Sequence, residues 1–484
     1  MYNVIFYDEL ISKTIEDGTR TIVYRVPSKY VCTTMRNGDN FFLYSNIENF
    51  IGSMPSLISV SSMFEGSDIK FIKDVKREKN EESGLMEEID IPADFNSVMN
   101  SYRMFADCKN LENVIIGMNG ITSSDLMFSG CDALKSISGN MDALEDATAM
   151  FIDNHELETF NVNMKRLRYA DIMFCGTKLT DIISNFDEVI SANQMYKDCS
   201  QLTSVTINMP SLEEGDEMFK NSSISSIDFT AQNLNQANEM FANCQSLTTA
   251  TCSFPSLKWA NKMFHSCKTL SSIKIDLPNL ERAHNMFTGN VVFTNFEGNL
   301  NNLEDGTEMF YQTMLRTFIT NNLDSLLIGK NMFKGCKIMN WAIPMPNLID
   351  GTGMFESNYM NGNTSLSMQS FKSDLSALKT GTNMFKDCRN LTSFEASLDN
   401  LNNAQDMFYN CKLDAKSVMF IIETLPKYDS GSHLIGIGIN NDGSSLDDFA
   451  AETGLYSNWS TMKSRLSSKG WTATWYNSNG STIA

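Results

Sequence analysis

The residues best able to do chemistry in this chain are eleven cysteines and four histidines among 484 residues. Cysteine and histidine together could bind zinc, and a cysteine beside a histidine could act as a nucleophile. No two cysteines have the C-x-x-C spacing of a zinc site. None of the histidines, which are His155, His265, His284 and His433, lies in an H-E-x-x-H motif. The pattern therefore favours neither a metal centre nor a catalytic nucleophile.

Most of the cysteines share one spacing, because each lies four residues after a methionine that precedes an aromatic residue. They are Cys108, Cys131, Cys199, Cys244, Cys267, Cys336, Cys388 and Cys411. In other copies the same place holds Ser222, Asn290, Thr313 or Asn358, so neither a disulfide bond nor a metal ligand is required there. We expect reduced, buried thiols that fill a small space in a core.

The methionine–aromatic pair is the strongest pattern in the sequence. Its copies begin at Met63, Met104, Met127, Met150, Met173, Met195, Met218, Met240, Met263, Met286, Met309, Met332, Met354, Met384 and Met407. Most steps between them are 22 or 23 residues. Such a period predicts a solenoid of stacked coils. A methionine stripe could also form a soft-metal or promiscuous binding surface, but the aromatic beside every methionine favours a core.

Each coil combines two local patterns. Leucine or valine six residues before the methionine, and a small residue three before it, predict a short helical or irregular segment that packs closely on its neighbour. After the cysteine place, apolar and polar residues alternate, as from Ile273 to Asp276, which predicts a short strand with one buried face. We therefore predict an α/β repeat solenoid of stacked coils, each about 22–23 residues long.

The coil pattern resembles the repeat of a known family. The segment 263–283 has the pattern M-F-x-x-C-x-x-L-x-x-I-x-I-x-x-P-x-L-x-x-A, which is similar to the BspA-like leucine-rich repeat. The resemblance covers residues 50–412, although methionine stands where that family usually has alanine. It implies a leucine-rich-repeat solenoid that acts as a surface adhesin or recognition protein. The final GWTATW resembles the closing cap of gut-bacterial and phage-encoded relatives, which suggests a phage-encoded member.

The two ends do not follow the repeat. Residues 1–45 hold β-prone runs around Asp17-Gly18, a hairpin signal, and predict a small β cap or docking module. Residues 46–412 form the predicted solenoid, and residues 413–484 predict a C-terminal α-β-α-β cap. The solenoid carries insertions near 65–100 and 356–383. The first is charged, so it is expected to be a solvated excursion, with a partner-docking loop as the alternative.

The formal net charge of −20 disfavours a nucleic-acid partner, because phosphate binding needs clustered lysine and arginine. The longest apolar runs are too short to predict membrane insertion, and the first residues lack the basic and apolar regions of a signal peptide. We expect no cofactor and no bound metal. We also expect no catalytic activity, because the non-repeat ends offer no convergent polar groups. The alternative is an enzyme whose site lies in those ends.

The resemblance to adhesins implies a target outside the cell, yet the sequence predicts no export signal. A bacteriophage virion component, such as part of a tail, fibre or other surface appendage, would resolve this conflict. It would reach the outside by host lysis and be located in the virion. Its partners would be other virion proteins or a host surface glycan or protein, within a larger assembly. The alternative is a bacterial surface or secreted leucine-rich-repeat adhesin, located at the cell surface.

The candidate partner-binding residues occupy the outward positions of the predicted strands. Short hydroxyl, amide and carboxylate groups on a rigid sheet offer repeated hydrogen bonds and lose little entropy on binding. The alternative is that they only keep the sheet soluble. The residues are Asn161, Asn163, Thr206, Asn208, Asp228, Thr230, Thr251, Ser253, Lys274, Asp276, Glu395 and Ser397.

Overall fold

The computed structural model describes residues 5–8, 27–31, 35–79, 85–181, 186–357, 368–430, 433–440 and 445–483. The predicted hairpin at Asp17-Gly18 and part of the insertion near 356–383 lie outside these residues. The chain divides into two compact units, residues 1–223 and 224–484. The chain forms a solenoid of about 16 coils, and a cap of mixed sheet and helices lies at its C-terminal end. The predicted leucine-rich-repeat-like solenoid is thereby confirmed.

The first unit is built from strands, one in most coils. They are β1 (Ile5–Asp8), β2 (Pro27–Val31), β3 (Asn49–Ser53), β4 (Phe71–Lys79), β5 (Met86–Ile91), β6 (Ala93–Asp94), β7 (Asn113–Gly117), β8 (Ser136–Asn140), β9 (Thr159–Asn163) and β10 (Ser204–Asn208). β3, β4, β7, β8 and β9 pair in parallel in that order. β4 also pairs antiparallel with β5. In the charged insertion, β4 and β5 therefore form an antiparallel pair, and β4 itself extends from the parallel sheet.

The second unit begins with parallel strands and ends in a mixed cap. Its elements are β11 (Ser226–Thr230), β12 (Thr249–Ser253), β13 (Ser272–Asp276), β14 (Asn295–Glu297), β15 (Thr317–Ile319), β16 (Asn340–Trp341), β17 (Ser370–Ser373), β18 (Ser393–Ala396), β19 (Ala404–Leu413), α1 (Ala415–Thr424), β20 (His433–Ile439), α2 (Leu446–Ala451), α3 (Trp459–Ser468), β21 (Trp471–Tyr476) and β22 (Thr482–Ile483). Parallel ladders join β11 to β15 and β16 to β18. β19 to β22 form the sheet of the C-terminal cap, which therefore begins at Ala404. The cap contains the predicted α-β-α-β order as α1, β20, α3 and β21, and it has α2 and β22 in addition.

A coil-like turn lies within the predicted N-terminal module 1–45. Asn37 bridges Ser59 in parallel, and the rings of Phe42 and Phe64 stack with 5.1 Å between their centroids. Phe41 and Phe42 therefore occupy the place of a methionine–aromatic pair. The methionine pattern misses this coil because Phe41 stands where the other coils have methionine.

The methionine–aromatic pairs form the core, as predicted. All fifteen repeat methionines are buried, from Met63 to Met407. In the first unit the aromatic rings stack from coil to coil, for example Phe105 on Phe128 with 5.0 Å between centroids. In the second unit Phe264 stacks on Phe287 at 5.5 Å in the same way. Each coil thus covers its neighbour's apolar face, which a single coil cannot bury alone.

The segment around each methionine is a series of turns. The described residues before α1 contain no helix. Of the two predicted forms of this segment, helical or irregular, the irregular one is therefore the one observed. The residue before the methionine is left-handed, with φ of 54° at Lys262, and so is the third residue after it, with φ of 58° at Ser266. A left-handed residue interrupts the helical hydrogen-bond pattern, and the apolar spacing of three and four does not reveal it.

The small residue three before the methionine allows close approach of the next coil, as predicted. A Cβ atom added to Gly306 would lie 2.8 Å from Sδ of Met332, and one added to Gly381 would lie 3.0 Å from Sδ of Met407. The methionine of one coil therefore packs over the small residue of the coil before it. A branched side chain at this place would displace the methionine.

The cysteine place is a hydrogen-bonding position as well as a small space. Cys267 Sγ donates to the carbonyl oxygen of Phe241 in the preceding coil at 3.1 Å. Asn290 Nδ2 donates to Phe264 O in the same way at 3.0 Å. Ser222, Cys199, Cys336, Cys388 and Cys411 make the equivalent bond. Burial raises the pKa of Cys199 and of Cys336 to about 12, so both remain neutral donors at neutral pH. The ten cysteines that the structure describes are free thiols.

Candidate recognition surface

The outward strand positions align across neighbouring coils of the second unit. Asp228 of β11 lies opposite Thr251 of β12, which lies opposite Lys274 of β13. Two residues further along each strand, Thr230, Ser253 and Asp276 form a second row. Alternation places these side chains on one face, while Phe229, Cys252 and Ile275 between them point into the core. Both rows thus present short polar groups on a single surface.

The predicted residues differ in exposure. Asn161, Asn163, Thr206, Asn208, Asp228, Thr251, Ser253, Lys274, Asp276 and Glu395 are exposed. Thr230 and Ser397 are half-buried, and Ser397 follows the end of β18. Ser397 Oγ donates to Asp399 at 2.5 Å, which leaves its oxygen as the group that can accept a bond. The sheet positions are therefore available to a partner, with Thr230 and Ser397 less so.

The structure does not bring all twelve residues together. In the first unit Asn161 and Asn163 of β9 lie beside Ser138 and Asn140 of β8, not beside β10. Residues 182–185, between β9 and β10, lie outside the described part of the chain. In the second unit Glu395 belongs to the separate ladder of β16 to β18. The densest group is the set on β11, β12 and β13.

Three neighbours of these residues were missed by the sequence pattern. Glu297 of β14 lies opposite Lys274 and forms an ion pair with it, and Ile319 of β15 lies opposite Glu297. Lys372 of β17 lies opposite Glu395, with 2.8 Å between Nζ and Oε1. Exposed pairs of this kind contribute little to stability, about 0–1 kcal/mol. The signal that could have found them is the repeat step itself, since each lies 22 or 23 residues from its partner.

A groove of about 350 Å³ opens on this surface at the carboxyl ends of β13, β14 and β15. Its lining combines Lys274, Asp276, Glu297, Asn299, Ile319 and Asn321. Gly298 also lines it, and a Cβ atom there would collide with the carbonyl oxygen of Ile275. The absence of a side chain at Gly298 therefore lets β14 lie close to β13 and keeps the groove open.

The histidines have structural surroundings. Nε2 of His284 lies 2.8 Å from Oδ2 of Asp305. Burial acts to raise the pKa of Asp305, but the Thr307 hydrogen bonds and the His284 contact outweigh it and lower that pKa. His433 stacks on Tyr428 with 3.7 Å between ring centroids, and its Nδ1 lies 3.1 Å from Asn402 O. Among the described residues no three histidine, cysteine, aspartate or glutamate side chains are grouped so that they could hold a metal ion.

Comparison with known protein families gives the relationship of this chain. The model of the BspA type leucine rich repeat region matches it in six copies, over residues 73–193, 169–291 and 304–428. These spans make up more than half of the sequence. The chain belongs to the BspA-type leucine-rich repeat family. The family assignment agrees with the stacked strands and with the cysteine and leucine positions of the coil.

Solved leucine-rich repeat structures are similar to this BspA-type chain at low identity. A leucine-rich repeat protein from Bacteroides ovatus is 20% identical, with 60% of this chain and 76% of that one covered and a TM-score of 0.40. A leucine rich cell surface protein from Faecalibacterium prausnitzii is 13% identical, with 80% and 95% covered and a TM-score of 0.30. The pneumococcal vaccine antigen PcpA is 11% identical, with 93% and 98% covered and a TM-score of 0.30. No curated protein sequence matches this chain.

The BspA-type repeat defines a scaffold, and function has to be argued from the surface that the scaffold presents. None of the helices in the described residues combines the length and apolar character that a membrane crossing requires. The surface that stands out is the outward face of the strand ladders, with its groove on β13 to β15.

Proposed function

We propose that this protein is a non-catalytic recognition protein that binds a polar partner on the outward face of its strand ladders. The observation that carries the proposal is the alignment of Asp228, Thr251 and Lys274 in one row and Thr230, Ser253 and Asp276 in the next. Repeated polar groups at fixed spacing suit a partner that also repeats, such as a glycan, or the polar surface of a protein. The acidic chain, with its net charge of −20, makes a nucleic-acid partner unfavourable.

The physical advantage of this face is its rigidity. The backbones of β11 and β12 are joined along five registered pairs, so the side chains on them are held in place before a partner arrives. Threonine and serine have few rotamers, and their hydroxyl groups both donate and accept hydrogen bonds. Binding to such groups loses less entropy than binding to long flexible side chains.

The setting that the family match supports is a bacterial cell surface, where BspA-like repeats act as adhesins. The virion setting, which the resemblance of GWTATW to the cap of phage-encoded relatives suggests, stays a prediction. The two settings differ in where the native protein is found. We propose the cell surface, and antibodies against the protein should label intact producing cells. Labelling of purified phage particles, with unlabelled cells, would favour the virion instead.

Binding to target cells tests the proposed function. The variant Thr251→Lys with Ser253→Lys adds two long cations to the outward face of β12, and we expect it to reduce cell binding of the purified protein by at least tenfold. The matched control is Gln245→Lys with Ser246→Lys, two exposed residues in the turn before the same strand. The control adds the same charge to the same coil and should bind cells as the wild type does.

The result would contradict the proposal if the β12 variant bound cells as well as its control did, or if the wild type bound no cell. Thermal unfolding of both variants shows whether the fold is kept. Equal loss in both variants would mean that added charge alone, at either place, weakens binding, and the outward face would then have no special role.

A further inference from the structure

The outward face is concave at the carboxyl ends of β13, β14 and β15, where it forms the groove described above. Ladder pairing covers five residue pairs between β11 and β12 and three in each of the next three ladders. The residues that follow Lys274, Glu297 and Ile319 lie beyond the positions at which β13, β14 and β15 pair with one another. Their side chains line a space of about 350 Å³, near the lower end of the roughly 300–1,000 Å³ that small-molecule sites occupy.

Three polar side chains in the groove have bonding capacity to spare. Within the described residues, the side chains of Asp276 and Asn321 have no hydrogen-bond or ion-pair partner. Asn299 accepts a bond from the backbone N–H of Asn301 at 3.1 Å, which fixes its side chain and leaves the amide N–H groups to donate. Asp276 can only accept, whereas Asn321 can do both. Together they match a ligand whose neighbouring hydroxyl groups donate and accept in turn.

The groove also has an apolar wall. Ile319, the last residue of β15, is 53% exposed and lies in register with Glu297 of β14 and, through it, with Lys274 of β13. An exposed isoleucine between polar residues is suited to the C–H face of a sugar ring, while the ring's hydroxyl groups reach the polar side chains at its edge. Hydroxyl groups on one edge and an apolar face are what a pyranose presents.

The charges narrow the ligand class. The ammonium of Lys274 is paired with Glu297, so Asp276 is the carboxylate of the groove that no cation offsets. An acidic sugar would meet this carboxylate in a chain of net charge −20. An extended peptide usually adds to a sheet edge, but β14 lies between β13 and β15 and has no free edge. A peptide strand therefore cannot pair with β14, and recognition at the middle of the groove passes through side chains.

We propose that the groove on β13 to β15 binds a neutral sugar residue of a glycan, with Asp276, Asn299 and Asn321 as hydrogen-bonding groups and Ile319 as the apolar contact. This inference rests on the proposed recognition function and assigns a ligand class to one part of that surface. The groove brings together residues from three successive coils. A metal ion takes no part, because the groove supplies only two carboxylates and one of them is paired.

The test is a glycan array that carries neutral oligosaccharides beside sialylated and sulfated counterparts of the same cores, followed by calorimetric titration of the strongest neutral binder. We expect saturable binding to a neutral glycan and binding at least tenfold weaker to its acidic counterparts. Asp276→Ala and Asn321→Ala should each weaken binding about fivefold or more, as the loss of a hydrogen bond does. Gln245→Ala removes an exposed amide in the turn before β12, outside both the groove and the outward rows. It is the matched control and should bind as the wild type does.

The proposal is overturned if no neutral glycan binds, if the acidic counterparts bind equally well, or if the groove variants bind like Gln245→Ala. Loss of binding in EDTA would also overturn it, because it would show a metal-dependent site. Cell binding that persists and stays sensitive to Thr251→Lys with Ser253→Lys, without glycan binding in the groove, would leave the recognition function standing. Absence of cell binding would count against the recognition function, whatever the groove variants show.

Discussion

At the scale of single residues, the structure explains which side-chain types occur at the cysteine place of the repeat. At the cysteine place, Cys267, Ser222 and Asn290 each donate a hydrogen bond to the carbonyl oxygen of the aromatic residue one coil earlier. The thiol is thus a weak donor in a buried position. Left-handed backbone recurs with little regard to residue type. Even Ile172, a β-branched residue, has φ of 60° before its methionine.

Substitutions at Cys267 distinguish a hydrogen-bonding role from simple space filling. Cys267→Ser keeps a donor of similar size and should change the free energy of unfolding by less than about 1 kcal/mol. Cys267→Ala leaves the Phe241 carbonyl without this donor and opens a small cavity, so it should cost about 1–3 kcal/mol. Urea unfolding of both variants measures the difference. Equal destabilisation of the two would show that the donor is unimportant.

At the scale of elements, hydrogen bonds around Glu423 connect the helices of the C-terminal cap. Glu423 near the end of α1 accepts bonds from Arg465 of α3 at 2.7 Å and from the hydroxyl of Tyr456 at 2.5 Å. Lys469 Nζ donates to the carbonyl oxygens of Glu423 and Leu425 at 2.6 and 2.8 Å, at the C-terminal end of α1. A cation there satisfies carbonyl groups that the helix leaves unpaired. These contacts join α1 to α3.

The pH dependence of stability should reveal the contribution of the Glu423 carboxylate. The hydrogen bond from Arg465 is the main reason that the pKa of Glu423 falls to about 2. Because the folded-state pKa lies below the unfolded value of about 4.5, the ionised carboxylate stabilises the fold above pH 4.5, and that contribution is lost as the pH falls towards 2. Glu423→Gln should therefore lower the melting temperature most above pH 5, and the difference from wild type should shrink towards pH 2.

Glu452→Gln is the matched control, because Glu452 is exposed at the end of α2. Its melting temperature should follow that of the wild type at every pH. A constant gap between Glu423→Gln and the wild type from pH 2 to pH 6 would contradict the assignment. Scanning calorimetry over that range provides the measurement.

At the scale of the whole molecule, the chain is a series of similar coils, each of which mainly contacts the coils before and after it. Parallel pairing with unchanged register between β11 and β12, and between β14 and β15, shows that neighbours are nearly interchangeable. Stability in such a protein is close to a sum of coil and interface contributions. Loss of one complete coil should therefore be tolerated, whereas loss of part of a coil should not.

Deletion of residues 241–263 tests this expectation. It removes one repeat, including β12, and joins Met240 to Phe264, so that a methionine–aromatic pair remains at the junction. The protein should stay folded, with an unchanged circular dichroism spectrum per residue and a melting temperature lower by only a few degrees. Deletion of residues 241–251, about half a repeat, breaks the phase of the coil and should give aggregation or a loss of cooperative unfolding. Equal behaviour of the two deletions would contradict the modular picture.

The sequence by itself determined what is local and repeated. The methionine period predicts stacked coils, and the alternation from Ile273 to Asp276 predicts which side chains of β13 are buried, because both features follow from positions within one coil. The polar residues at the cysteine place already excluded an obligatory disulfide. The same rule predicts that Thr251 and Ser253 point outward, and the structure places them there.

Only the tertiary structure decided what depends on neighbouring coils. The first coil, with Phe41 in place of methionine, is recognised by the stacking of Phe42 on Phe64 and not by its letters. Residues 276, 299 and 321 lie one repeat apart, so the period places them in one row, but the groove of about 350 Å³ that they line is visible only in the structure. The shape of the surface between coils is set by packing between coils, which the pattern within one coil does not encode.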